Sequence, residues 1–333
     1  MQRAVFVSRA AQCLTYALLL AVHTTAALAQ SYPSRPITVM VGFAPGGTSD
    51  VAARIVAERM SVTLNTPVLV ENRAGAGGSV AAAAAAKSAP DGYTIMLADP
   101  GAYAINPILF AQNARYDPLV DFTPIALVGQ SPLVLVVPAV RPYANIADLT
   151  SHIRANPDRA LYASSGAGGI TQFGAEVFLK RAGNLNAVHV AYRGGAPMME
   201  ALLKGETDFG VAVLASAVSM IESGSVRALA IAAPSATALV KDTPQLESLG
   251  FSNTTMSSWV IMIGPAGIPA EIVAQLNGAI NLAIGDPAVR EKLLKAGIET
   301  YPPATPAGTG SYLKGEVERY RGYKGELGDR LVK

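Results

Sequence analysis

The residues best suited to chemistry in this chain are small and uncharged. VMVGFAPGGTSDVAARI, from Val39, and LYASSGAGGITQFGAEV, from Leu161, share one arrangement about 120 residues apart: an apolar run, a Gly/Ser/Thr-rich loop, then a helix-forming segment. Such a loop leaves backbone N–H groups unpaired at a helix N-terminus, where the peptide dipoles also favour negative charge, so each copy is suited to hold an anion. The same glycines, Gly46, Gly47, Gly166, Gly168 and Gly169, serve equally well as tight strand-to-helix turns. Duplication favours the anion, because two facing copies can grip one carboxylate from both sides.

Other chemistries leave weaker traces. No GxxxxGK[ST] occurs, and GAGGSV (75–80) and GAGGIT (166–171) lack the third glycine of a dinucleotide fingerprint. No GxSxG elbow is present, although Ser164 or Ser165 with His189 and Asp208 would supply the parts of a hydrolase triad. His189, inside AVHVAY, reads as a hydrogen-bonded sheet histidine, and His152 as a solvated helix residue. Arg73 and Arg193 adjoin glycine-rich loops; each is either half of a bidentate carboxylate clamp or an ordinary ion-pairing or surface residue. Asp50 reads as a partner of nearby backbone amides at a helix start, and Trp259 as core or hinge packing.

The elements that must position these loops alternate. ITVMVGF, PVLVEN and YTIMLAD read as strands separated by helices at VAARIVAERMSVTL and the alanine run 81–86, which argues an α/β architecture with a largely parallel sheet. The apolar run Ile125–Val137 is longer than one buried strand needs and is suited to crossing between lobes. After it the rhythm restarts with strands at AVHVAY, DFGVAVL and VRALAIAA, and helices at ITQFGAEVFLKRAG and APMMEALLKG. SSWVIMIGP reads as an extended segment crossing back, and helices follow behind Pro269, behind Asp286 and Pro287, and behind Thr305 and Pro306.

Of 333 residues, 50% are hydrophobic and 15% charged, which excludes a disordered chain. Lys+Arg number 26 against 24 Asp+Glu, and the surplus is Arg3 and Arg9 at the N-terminus. A chain otherwise neutral has no electrostatic footprint for nucleic acid. Behind Arg3 and Arg9, LTYALLLAV and a small-residue stretch ending at Ala29 read as a secretory signal peptide; a membrane anchor needs about 20 apolar residues, and His23, Thr24 and Thr25 interrupt the run. The sole cysteine, Cys13, and His23 leave with this segment. The mature chain then lacks disulfides, thiolate metal sites and cysteine nucleophiles, and His152 and His189 are too few for a multi-histidine metal site.

In order along nearly the whole mature chain, YPSRPITVMVGFAPGGTSDVAARIVAERM, VENRAGAGG, APDGYTIML, INPILF, YDPLVDFTPIALVGQSPLVLVV, VHVAYRGGAP, VRALAIAA, TPQLESLGF and SSWVIMIGPAGIPAEIVAQLN resemble the substrate-binding proteins of tripartite tricarboxylate transporters, the Bug or TctC family. The resemblance implies a periplasmic protein that closes two lobes over a small carboxylate, held by loop amides, hydroxyls and ordered water. By position it implies a first-lobe pocket of Phe43, Ala44, Gly46, Gly47 and Thr48, with Asp99 and Gly101 adding selectivity. The implied second-lobe pocket is Ser164, Ser165, Gly166, Gly168, Gly169 and Thr171. Gln172 stands where many relatives have histidine, and the ending GYKGELGDRLVK departs from the usual one. Asp99 is an acid in a site that should attract anions: facing the cleft, it favours a ligand bearing an amine or amide; turned away, it only packs its loop.

The expected fold is α/β, periplasmic binding protein-like type II, with two lobes, two crossings and a cleft. The expected division is a signal peptide over 1–29, lobe 1 over 30–128 and 258–333, and lobe 2 over 129–257. Gln172 and Arg193 join the expected ligand-binding set, with no catalytic residue, metal or cofactor. The expected function is capture of a mono- or dicarboxylate, aromatic or amino-bearing among the options, by a monomer that delivers it to membrane permease subunits. A periplasmic serine hydrolase and an orphan sensor or scavenger without a transporter stay open as alternatives.

Overall fold

A computed structural model describes residues 32–112, 115–233 and 239–331. The expected signal peptide, with Arg3, Arg9, Cys13 and His23, lies outside the described residues.

From Arg35 onward the chain is one compact unit, and its strands share a single sheet bent about one long member. β4 (Phe122–Pro138) spans 17 residues, nearly all of them apolar and most of them buried. Up to Pro132 it pairs with antiparallel β9 (Ser257–Pro265), and from Leu133 onward it pairs with antiparallel β7 (Phe209–Val213) and β8 (Val226–Ala232). One strand thus serves two sheet regions, as the length of its apolar run suggested. The chain returns beside it at Met256, whose carbonyl accepts the Leu133 amide and whose amide bonds the Ala232 carbonyl. The crossing back therefore lies just before β9 rather than within it, because β9 pairs with β4 from Ser257 to Pro265 and with β3 over Ile261 to Ile263.

The first lobe orders its strands β2 (Val68–Asn72), β1 (Ile37–Val41), β3 (Thr94–Ala98), β9, β4, with the short β10 (Glu299–Thr300) also paired to β4. β1 is parallel to both neighbours, as βαβ crossovers require, and is almost wholly buried. Helices α1 (Thr48–Thr63), α2 (Ser79–Ala86), α3 (Asn106–Leu109), α8 (Ala270–Gly285), α9 (Pro287–Lys295) and α10 (Pro306–Leu327) belong here. The second lobe carries β5 (Leu161–Ser164) between parallel β6 (Val188–Ala191) and β7, with α4 (Ile146–Ala155), α5 (Ile170–Arg181), α6 (Gly195–Leu203) and α7 (Leu214–Glu222). Trp259 is wholly buried on β9 and donates its indole N–H to Glu316 at 2.6 Å, which makes it core packing. The sequence did not foretell the π-helical turn Gly101–Ile105 that follows β3 and leads directly into α3.

Candidate functional site

Helix starts differ across the molecule: α2, α3 and α8 lack a side-chain cap away from the site, and so do the helices that meet at it. α4, α9 and α10 begin with Asn145, Asp286 and Thr305, each accepting a first-turn N–H through its side chain. α1, α5 and α6 begin behind Gly47, Gly169 and Gly194, which have no side chain to do so. Among the described residues no side-chain cap closes their first turns, and these helix starts border one cavity.

The cavity is narrow, about 350 Å³ of space not filled by atoms once the open solvent at its mouth is included, and it draws its walls from both lobes. Phe43, Gly47, Thr48, Ser49, Asp99 and Ser258 come from the first. Ser165, Ile170, Thr171, Gly195, Val213 and Ser216 come from the second. Val213 and Ser216 belong to the start of α7, so four helix N-termini meet the cavity. None of these lining residues is Lys, Arg or His, and Asp99 is their one ionisable side chain. Helix ends and hydroxyls thus supply the positive potential here without a cation, which suits a carboxylate. Thr48 is 8% exposed and its hydroxyl is buried with no hydrogen-bond partner, a cost that a ligand oxygen at this wall would relieve.

Second-loop residues are held by their own network. Thr171 Oγ1 accepts the Ser165 amide at 2.8 Å and lies 2.9 Å from Ser165 Oγ. Gln172 Oε1 accepts the Gly168 amide at 2.7 Å, fixing a glycine whose φ of +71° suits few other residues. The first loop is held from outside the cavity: Asp50 accepts the Gly46 amide at 2.9 Å, Asn72 Nδ2 at 2.9 Å and Arg54. Burial pushes the Asp50 carboxyl up, but these donors outweigh it and hold the group below the ordinary carboxylate range. Asp50 is therefore a partner of backbone amides, as its position at the helix start suggested.

Several residues of the expected ligand-binding set do not line this cavity. The Ala44 amide is taken by the Arg193 carbonyl at 3.2 Å, Gly46 is exposed, and the Arg193 side chain points to solvent, because the 193–195 backbone rather than the guanidinium meets the first lobe. Arg73 is a half-exposed partner of Glu71 at 2.6 Å. Gln172 faces Gly168 and Tyr162 and sits behind the loop. Ser164 is wholly buried behind the loop as well, accepting the Gly166 amide. Gly101, Gly166, Gly168 and Gly169 shape the junction between the lobes: a Cβ on Gly101 would lie 3.1 Å from Cα of Gly169, and one on Gly166 would lie 3.3 Å from the nitrogen of Gly77.

The parts of a hydrolase triad do not assemble. Ser164 Oγ lies 2.6 Å from His189 Nε2, but Asp208 is engaged by Tyr143, by the Leu161 amide and by Arg141. Burial lowers His189 to about 4, and its ring stacks on Tyr162 as a packed sheet residue would. His152 packs against Tyr143 and lies 3.8 Å from Asp208. Among the described residues no three His, Cys, Asp or Glu side chains cluster to hold a metal ion.

Ser49, Ile170, Gly195, Val213, Ser216 and Ser258 line the cavity without having been expected there from the sequence. Gly194-Gly195 before Pro197 repeats the glycine-then-helix signal and would have marked α6; Ser258 and Ser216 gain their place only through the packing of β9 and α7.

The sequence profile described as the tripartite tricarboxylate transporter family receptor matches residues 52–320. Protein BugT of Bordetella pertussis is 33% identical over 303 residues, covering 91% of this chain and 92% of that protein. The solved structure of periplasmic binding protein BugD superposes with a TM-score of 0.85 at 30% identity, over 89% of this chain and 99% of the other. MatC from Rhodopseudomonas palustris, solved with bound malate, gives 0.84 at 30% identity over 87% and 99%. A further R. palustris protein solved with adipate gives 0.85 at 30% identity over 89% and 98%.

Proposed function

Because this chain belongs to the tripartite tricarboxylate transporter receptor family, a family of periplasmic solute-binding proteins, we propose that it captures a small organic carboxylate between its two lobes and delivers it to the permease subunits of a tripartite tricarboxylate-type transporter. The observation that carries this reading is the cation-free cavity bordered by first turns of helices from both lobes. Only a ligand that touches both walls favours the closed arrangement over the open one, and a carboxylate with oxygens toward α1 and α5 does so. Malate and adipate in two solved relatives support the ligand class. The lobes we assign are 30–128 with 258–333, and 129–257; the change of β4 partners after Pro132 supports a boundary near there. The ligand-contacting set we assign is Phe43, Gly47, Thr48, Asp99, Ser165 and Thr171 from the expected residues, joined by Ser49, Gly195, Ser216 and Ser258. Among the described residues no helix is long and apolar enough to cross a membrane.

A thermal-shift screen of the mature protein, unfolded and refolded to strip carried ligand, tests the reading. Aliphatic and aromatic mono- and dicarboxylates at about 100 times Kd should stabilise by about 2.7 kcal/mol, a shift of several degrees, with the acid recovered unchanged. No shift with any acid would overturn the reading, and consumption of an ester would turn it toward the hydrolase. Binding without any effect on transport when permease genes are deleted would favour the orphan sensor or scavenger.

A further inference from the structure

Asp99 is the anomaly of the cavity. It is 4% exposed, lines the space that helix N-termini make attractive to anions, and has no cationic side chain beside it. The Ala102 amide donates to Oδ1 at 2.9 Å, and besides that amide and its own, no donor among the described residues reaches the carboxyl. An acid kept only to cap the turn Gly101–Ile105 would not need to border the ligand space, and a buried carboxylate without a counter-charge is costly.

On the carboxylate-binding reading above, we propose that Asp99 pairs with an ammonium group of the ligand, so that the preferred substrate is an amino acid whose carboxylate lies at the helix N-termini and whose amine faces Asp99. The ligand then supplies the counter-charge that the protein omits. A diacid without an amine would set a second carboxylate toward Asp99 and could bind well only by taking up a proton. Burial raises Asp99 to about 7, so its charge state is sensitive to what is placed beside it. Its titratable surroundings are otherwise quiet. Tyr116 and Tyr320, which interact with it electrostatically, are both pushed up by burial and stay neutral. Around them, Glu316 on α10 is engaged by Trp259 and Arg319, Asp50 on α1 by Arg54, and Glu176 on α5 by Arg330.

The test is calorimetric titration of the refolded mature protein with acids matched in length, with and without an amine: acetate and glycine, malate and aspartate, glutarate and glutamate, adipate and 2-aminoadipate. At the chain length that fits best, the amine-bearing member should bind at least about tenfold more tightly. Asp99→Asn, which keeps size and the bond from Ala102, should bring the two members within about threefold of each other. Should that variant fail to fold, the unaltered protein decides: from about pH 6 to about pH 8 the amino acid should bind more tightly and the amine-free acid less tightly, as Asp99 loses its proton. Preference for the amine-free acid, or a preference untouched by Asp99→Asn, would overturn the role of Asp99 while leaving carboxylate capture standing. Failure of every acid to bind would overturn both.

Discussion

The side-chain amide of Asn106 donates to the Gly168 carbonyl at 3.1 Å, and the same nitrogen lies 3.3 Å from the Gly101 carbonyl and 3.5 Å from that of Gly77. One buried residue at the start of α3 thereby ties the second glycine loop to two turns of the first lobe. Removing it leaves buried carbonyls without a donor, which costs about 1–3 kcal/mol. Asn106→Ala should therefore weaken ligand binding about ten- to hundredfold, read by calorimetry, while the separate lobes keep their fold. Asn106→Asp should be worse, since an acceptor would then face three acceptors. Unchanged affinity in both variants would show that the closed state does not depend on this contact.

Gly77 tests closure by bulk instead of by bonding. A Cβ there would lie 2.6 Å from Asn106 Nδ2 and 2.7 Å from the Ala167 carbonyl oxygen, and the residue sits at φ +58°. Gly77→Ala should hold the lobes apart at this edge. X-ray scattering should show the radius of gyration shrinking on ligand addition in the native protein and staying nearly constant in the variant. Equal shrinkage in both would contradict the placement of Gly77 at the junction.

Thr48 separates stability from binding. Its unpartnered hydroxyl gives the empty protein nothing, so Thr48→Val, of nearly equal volume, should leave the melting temperature of the ligand-free protein unchanged or slightly higher. The ligand should lose a hydrogen bond to a charged oxygen, worth about 1.5–3 kcal/mol, or at least about tenfold in affinity. A variant that melts lower yet binds normally would place the hydroxyl in structure rather than in recognition.

Asp99 and His189 move stability in opposite directions with pH. Burial raises Asp99 from 3.8 to about 7, so between those values the folded chain keeps a proton that the unfolded chain has lost; this contribution falls as pH rises through the window. Burial lowers His189 from 6.5 to about 4, so there the unfolded chain takes up the proton, and stability is lost as pH falls through that window. Relative to the native protein, Asp99→Asn should gain more in melting temperature at about pH 8 than at about pH 5, and His189→Gln should gain as pH drops from about 7 to about 4.5. Differences independent of pH would contradict both assignments.

Much of the frame was legible because it rests on local pattern. The run Ile125–Val137 announced a strand too long for one lobe, and the paired glycine loops announced helix starts stripped of side-chain caps. For Arg193 residue type left a guanidinium clamp and a surface role both open, and the structure shows an exposed side chain whose carbonyl holds Ala44. Asn106, Ser258 and Ser216 carry no local signal, since their roles arise only where segments far apart in the chain approach one another. Asp99 was legible as an oddity; its place in the cavity needed the sheet and the π-helical turn to be known.

The most direct test of a carboxylate gripped by helix ends from both lobes is a crystal structure of the refolded protein with its tightest-binding acid. The account predicts carboxylate oxygens about 3 Å from first-turn amides of both α1 and α5 and from Thr48 Oγ1, with no Lys or Arg side chain in contact. A carboxylate paired with Arg73 or Arg193, or one touching a single lobe, would contradict it.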